Sequence, residues 1–131
     1  MASDLRELEP DVVRFLEEHI DTVPHLEALM LLWESGSQGW TPVQAAARLY
    51  VSEEAASSIL DDLFRRQLVQ RKIDVDQVYY RYGCTWDEKG ERLARVAAVY
   101  RRQTVKVASL IHSKASTAVH DFARAFRLKK E

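Results

Sequence analysis

The sequence predicts a mostly α-helical chain with one two-stranded β-hairpin, and three observations lead to this fold class. Only 4 glycines and 3 prolines occur among 131 residues, which leaves little room for long loops. Apolar side chains recur at three- and four-residue spacing along most of the chain, as in helices that bury one face. The stretch from Leu68 to Tyr82 is instead rich in aromatic and β-branched residues around an Asp-rich turn.

The N-terminal part of the chain is expected to form two helices after a flexible start at residues 1–9. Pro10 suits the first turn of a helix, and the apolar spacing that follows it predicts a helix over about 10–21. Pro24 begins a second helix, whose apolar face is wide enough for a central position in the core. Gly36, within the stretch SGSQG, ends that helix.

Two further helices are predicted around a tight turn. Thr41 and Gln44 have the spacing of a capping box, which predicts a short helix over about 42–49. Tyr50 and Val51 form the turn, and Ser52 caps the next helix, over about 53–67. The inward residues are expected to be Val43, Ala46 and Leu49 in the first helix, and Ala56, Ile59, Leu60 and Leu63 in the second.

The C-terminal half is predicted to continue as a hairpin and a rod. The runs 68–73 and 78–82 are the two strands, joined by a turn at Asp74-Val75-Asp76. Thr85 to Glu88 matches a second capping box, which predicts one uninterrupted helix over about 86–112. Such a helix would be about 40 Å long at about 1.5 Å per residue. A last helix is predicted over about 117–127.

This order of elements is that of a winged helix-turn-helix with a two-stranded β wing and a long C-terminal helical extension. We expect the winged domain over residues 10–84 and a dimerising extension over 85–131. The run AARLYVSEEAASSILDDLFRRQLVQR, at 46–71, resembles bacterial winged-helix transcriptional regulators of the MarR and PadR kind. The resemblance covers roughly residues 24–83.

The resemblance implies binding of duplex DNA by a dimer. In such regulators the second helix of the motif lies in the major groove, the wing touches the backbone or the minor groove, and terminal helices join two copies. Carried over to this sequence, the DNA-facing residues are expected to be Thr41, Gln44, Ser52, Glu53, Glu54, Ser57, Ser58, Arg71, Lys72 and Arg81.

The charges on the second helix of the motif support an alternative function. Residues 52–64 hold four carboxylates and no basic or amide side chain, whereas DNA binding depends on such side chains. The alternative is a winged-helix protein–protein interaction module that has lost DNA reading and binds a basic partner. Acidic residues in a first turn also interact favourably with the helix dipole, which is a sufficient structural reason for the presence of Glu53 and Glu54.

The charge is unevenly distributed along the chain, although the net charge is only −1. Residues 1–64 hold 13 acidic and 3 basic side chains, and residues 91–131 hold 3 acidic and 10 basic ones. The basic tail is either an ordinary solvated face or a surface that meets something acidic. The acidic partner would be DNA, the acidic half of the same chain, a second copy or another protein.

The apolar stripe of the predicted rod indicates self-association. A winged domain of this size cannot cover a 40 Å helix along its full length, so the distal half needs another surface. Symmetric dimers are the commonest oligomers, and we expect a homodimer. The dimerisation residues are expected to be Tyr100, Thr104, Val107, Ile111, Phe122 and Phe126.

The sequence carries no motif of the common enzyme classes, and we expect neither catalysis nor a cofactor. The four histidines show no i,i+4 pair, so no metal site is expected. Cys84 is the single cysteine, which excludes an internal disulfide and favours a boundary residue over an intersubunit redox switch. No apolar run approaches 18 residues, so we expect a cytoplasmic protein without a membrane partner.

Overall fold

A computed structural model of the chain describes residues 8–114, which form helices and one antiparallel β-hairpin. The elements are α1 (Pro10–His19), α2 (Val23–Glu34), α3 (Pro42–Leu49), α4 (Glu53–Arg65), β1 (Val69–Asp74), β2 (Gln77–Tyr82), a 3-10 helix (Thr85–Asp87) and α5 (Glu91–Arg102). A further helix, α6, covers residues 104–114. The predicted fold class, mostly helical with a two-stranded wing and a helical extension, is confirmed.

The described chain packs as two compact units. Pro24–Ala97 form a central unit, and residues 8–23 and 98–114 belong to a terminal unit. The predicted functional limits, 10–84 and 85–131, stay a prediction. No helix of residues 8–114 is long and apolar enough to cross a membrane.

The starts of α3 and α4 are fixed by the capping groups that the sequence predicts. The Thr41 hydroxyl accepts a hydrogen bond from the Gln44 amide at 3.2 Å, and the Thr41 amide donates to Gln44 Oε1 at 3.1 Å. The Ser52 hydroxyl accepts from the Ala55 amide at 3.0 Å. Tyr50 ends α3 in the left-handed conformation, with φ of 58°. These bonds satisfy amides that the first turn of each helix leaves unpaired.

The core of the central unit is built from α2, α4 and α5. Its fully buried side chains include Leu26, Leu29, Leu32, Leu60, Leu63, Leu68, Leu93 and Val96. The predicted inward residues of α4 are all buried. The prediction for α3 is partly wrong, because Val43 is 56% exposed and Leu49 is half-buried. Ala46 is buried as predicted, and Ala45 is buried in addition; such small side chains allow α3 to pack closely on α4.

The hairpin forms the wing, and its inner strand is anchored to the rest of the central unit. β1 and β2 pair antiparallel from Val69 with Tyr82 to Asp74 with Gln77. On the other side of β2, Tyr80 and Trp40 exchange two backbone hydrogen bonds of 2.8 Å. The remainder of β1 after Val69 is exposed. The wing therefore projects its outer strand and its tip into solvent.

The predicted capping box at Thr85 is wrong, and the predicted rod is divided. Thr85–Asp87 form a 3-10 helix, and α5 begins only at Glu91. The Asp87 carboxylate caps α5 by accepting from the amides of Arg92 and Leu93, both at 3.1 Å. Gly90, with φ of 71°, makes the break, and a Cβ there would lie 2.1 Å from Trp33 Nε1. Gln103 then separates α5 from α6.

In the terminal unit, α1 buries Val12, Phe15 and Leu16. The Lys114 ammonium donates to the carbonyl oxygens of Leu16 at 3.2 Å and Ile20 at 2.7 Å. A cation at these carbonyls complements the negative end of the helix dipole. The predicted last helix at 117–127, with Phe122 and Phe126, lies outside the described residues.

Candidate nucleic-acid interface

The helix α4 buries one face and presents the other to solvent. Ala56, Ile59, Leu60 and Leu63 form the buried face. The predicted reading residues lie on the opposite face: Ser52, Glu53, Glu54 and Ser58 are exposed, and Ser57 is half-buried. The structure thus places this part of the predicted interface on the surface, while its contact with DNA stays a prediction.

Asp61 lies on α4 but is held by the wing. The Tyr80 hydroxyl donates a hydrogen bond to Asp61 Oδ1, and Arg71 Nη1 lies 3.5 Å from the same oxygen. The Arg71 guanidinium also stacks over Phe64, 4.1 Å from the ring centroid. Arg71, predicted as a wing contact to DNA, is therefore turned back towards α4.

Asp62 is the second carboxylate of α4 with partners inside the central unit. His25 Nε2 lies 2.8 Å from Asp62 Oδ2, and Arg65 forms an ion pair with Oδ1. His25 itself is buried in α2. Two of the four carboxylates counted against DNA binding are thus engaged within the fold, which leaves Glu53 and Glu54 facing solvent.

Burial controls the titration of the polar groups at the base of the wing. Burial, then the Asp61 carboxylate, raise the pKa of Tyr80 above its ordinary value. Burial, then the charge of Asp87, raise the pKa of Tyr82, whose hydroxyl donates to the Asp87 carbonyl oxygen at 2.7 Å. Burial also raises the pKa of the Cys84 thiol. At neutral pH both phenols are therefore protonated donors.

The outer surface of the wing carries the remaining predicted cations. Arg81 donates from Nε and Nη2 to Gln70 Oε1, at 3.2 and 3.0 Å, across the hairpin. Lys72 is exposed and makes no ion pair with any residue of the range 8–114. Both side chains remain on the surface, so the wing retains two cations that a phosphate can reach.

The two residues predicted to contact DNA at the start of α3, Thr41 and Gln44, differ in exposure. Thr41 is 8% exposed, and its hydroxyl oxygen and amide are used in the capping box. It therefore offers little surface to a phosphate. Gln44 is exposed, although its Oε1 accepts from the Thr41 amide. Its amide nitrogen is the group left to donate outward.

Sequence reasoning overlooked two exposed residues at the other end of α3. Tyr50 is 93% exposed, and Arg48, two residues earlier, is exposed and lies 5.5 Å from the Trp40 ring centroid. The sequence places Tyr50 in the turn but gives no signal for the exposure of its side chain. Tyr50 also has a left-handed backbone, with φ of 58°.

The arrangement of α3, the tight turn, α4 and the hairpin is shared with solved winged-helix structures. The chain has the winged helix-turn-helix fold. YusO from Bacillus subtilis is 18% identical with a TM-score of 0.55, covering 96% of this chain and 89% of its own. A complex of Staphylococcus aureus MepR with DNA is 16% identical with a TM-score of 0.54, covering 96% and 92%. Reduced HlyU from Vibrio cholerae is 21% identical with a TM-score of 0.51, covering 77% and 97%.

No protein-family model matches the chain, and no curated protein matches it. The identities to the solved structures are all low, so the likeness concerns the fold of the chain. A second structure of similar fold, a MepR variant, is described as bound to an oligodeoxyribonucleotide.

Proposed function

We propose that the protein is a transcriptional regulator that binds duplex DNA, with α4 in the major groove and the wing against the flanking backbone. One observation carries the proposal: the N-terminal half of α4 stands exposed on a winged helix-turn-helix fold, directly after the tight turn at Tyr50 and Val51, and its start is capped by Ser52. MepR, whose structures have a similar fold, is described as a transcription regulator of a multidrug efflux pump and is seen with DNA.

The internal pairing of Asp61 and Asp62 weakens the main objection to DNA binding. Each carboxylate has a cation and a second polar partner within the central unit, so neither is a free charge on the reading face. Glu53 and Glu54 remain exposed beside the groove. A glutamate can accept a hydrogen bond from cytosine N4, so these two residues favour sequence-specific over non-specific binding.

The proposed contacts follow from exposure. On α3 and α4 they are the exposed residues and the half-buried Ser57, and on the wing they are the two surface cations: Gln44, Ser52, Glu53, Glu54, Ser57, Ser58, Lys72 and Arg81. Arg71 joins them only if it leaves Asp61. Thr41 acts through the cap that fixes the start of α3, rather than through a contact of its own.

We also propose that the regulator is a homodimer, because winged domains that bind as pairs read two half-sites about 34 Å apart. Of the predicted dimerisation residues, Thr104 is exposed, and Tyr100 is half-buried. Val107 and Ile111 are buried within the single chain, so they pack inside it. Val105, 78% exposed on α6, is an apolar side chain available to a second copy. The protein is proposed to act in the cytoplasm, without catalysis.

The test of DNA binding is a salt titration. Fluorescence anisotropy with a labelled random-sequence duplex is expected to give a dissociation constant of roughly 10 µM or below at low salt. Affinity should fall linearly on a log–log plot as salt rises, because phosphate contacts release counterions. An absence of binding at about 50 mM salt would contradict the proposal and favour the protein–protein interaction module.

The test of dimerisation is sedimentation velocity over a range of protein concentrations. We expect a dimer, and Val105→Glu is expected to shift the chain towards monomer because it buries a charge in the contact. Val43→Glu, at another exposed valine in the central unit, is the matched control. A monomer at every concentration, or equal effects of both substitutions, would reject the proposed dimer contact.

A further inference from the structure

The helices α3 and α4 end in the same way. Each is followed by a residue in the left-handed conformation, Tyr50 with φ of 58° and Gln67 with φ of 63°. In each, the next amide donates back to the last turn: Val51 to the Ala46 carbonyl at 3.2 Å, and Leu68 to the Leu63 carbonyl at 3.0 Å. Glycine is strongly preferred at this position, because a Cβ strains the left-handed backbone.

Tyr50 combines this backbone strain with a second unfavourable feature. Its side chain is 93% exposed, and its hydroxyl makes no hydrogen bond within the described part of the chain. An aromatic ring left in water contributes none of the burial that normally stabilises a fold. Neither the backbone nor the core of this domain therefore explains a tyrosine at position 50. A contact with another molecule would explain it.

The position of Tyr50 identifies that contact. It lies two residues before Ser52, the cap of α4, so it is at the end of α4 that enters the major groove in helix-turn-helix binding. The turn before this end lies over the rim of the groove, where the phosphates are. Arg48, exposed in the last turn of α3, adds a cation nearby in the chain.

The hydroxyl group of a tyrosine is suited to a phosphate contact at the rim of the groove. The hydroxyl of tyrosine donates a hydrogen bond to a phosphate oxygen, and such contacts position a protein on the duplex. Because α4 opens with Glu53 and Glu54, the protein needs donors close to its acidic first turn. We propose that Tyr50 is a DNA-backbone contact, its hydroxyl donating to a phosphate at the edge of the groove that α4 enters. This inference rests on the proposed function.

The test compares two glycine substitutions that relieve the same strain. Tyr50→Gly removes the proposed contact, and Gln67→Gly is the matched control at the other end of α4. Binding of the random-sequence duplex is measured by anisotropy. Tyr50→Gly should weaken binding roughly tenfold, and Tyr50→Phe, which removes only the hydroxyl, roughly threefold to tenfold. Gln67→Gly should leave affinity unchanged, and thermal unfolding should show both glycine variants at least as stable as the original chain.

Two outcomes would overturn the inference and remain distinguishable. If the unaltered protein binds duplex DNA and Tyr50→Gly binds as well as Gln67→Gly, Tyr50 is not a contact and the proposed function stands. If Tyr50→Gly instead lowers the sedimenting mass with DNA affinity unchanged, the residue serves self-association. If the unaltered protein binds no duplex, the proposed function fails first, and the inference falls with it.

Discussion

The Tyr80 hydroxyl donates a hydrogen bond to the Asp61 carboxylate and thereby ties β2 of the wing to α4. Tyr80→Phe keeps the ring but leaves a half-buried carboxylate without this donor, so we expect a loss of about 1 kcal/mol in the free energy of unfolding. Urea unfolding measures it. Tyr79→Phe is the control, because the Tyr79 hydroxyl has no hydrogen bond within residues 8–114. Equal stability of the two variants would show that the bond contributes nothing.

Replacing Glu53 and Glu54 together by glutamine should strengthen binding to random-sequence duplex, since two exposed negative charges leave the reading face. Stability should fall by about 0.3–1 kcal/mol for each lost interaction with the helix dipole. Anisotropy at low salt and urea unfolding give the two values. The control is Glu9→Gln with Glu17→Gln, two exposed carboxylates on or beside α1. If both pairs raise the affinity equally, net charge rather than position on α4 is responsible.

The tip of the wing contains a strained residue, and its replacement should stabilise the fold. Val75 is 89% exposed and has φ of 55°, a conformation that a β-branched side chain disfavours. Val75→Asn should raise the free energy of unfolding by about 1 kcal/mol, because asparagine tolerates the left-handed region. Thermal unfolding is the measurement. Val43→Asn, at an exposed valine in α3, should give no gain, and a loss on Val75→Asn would contradict the strain.

Stability is expected to fall at alkaline pH through the buried phenols. Burial raises the folded-state pKa of Tyr82 and of Tyr80 above the ordinary 10.0, so the folded chain favours the neutral phenols. The resulting stabilisation is complete below pH 10.0, and it is lost as pH rises towards the folded-state pKa values. Urea unfolding between about pH 8 and about pH 11 should show the decline. Tyr82→Phe should make it shallower, and an identical slope would refute the assignment.

Cys84 should behave as a structural thiol. It is 2% exposed, and burial raises its pKa, so the reactive thiolate is scarce at neutral pH. We expect slow reaction with a thiol reagent in the folded chain and fast reaction in denaturant, followed by absorbance. Cys84→Ser gives the background. Rapid labelling of the folded protein, or a disulfide-linked dimer under mild oxidation, would restore the redox-switch interpretation.

The correct predictions came from local signals. Thr41 and Ser52 form their caps with residues three positions away, so spacing in the sequence is sufficient to identify them. The strands of the wing were identifiable because their composition differs from that of the helices on either side. In each case the partners are close along the chain, and no knowledge of distant packing is needed.

The errors came from partners far apart in the chain. In the sequence Asp61 and Asp62 look like free charges, because their hydrogen-bond partners, Tyr80 and His25, lie 19 and 37 residues away. The spacing at Thr85 matches a capping box, but Thr85–Asp87 form a 3-10 helix and α5 begins only at Glu91, after a break at Gly90 that lies against the distant Trp33. Tyr50 is exposed and has a left-handed backbone, and a tyrosine in the sequence predicts neither feature.

The close approach of Gly90 to Trp33 links two positions that are distant in the sequence. A side chain at 90 would need the space now held by the indole at 33, in addition to a left-handed backbone. In related chains these two sites should therefore vary together. A related chain with another residue in place of Gly90 should also have a smaller residue in place of Trp33, and its α5 should begin in a different direction.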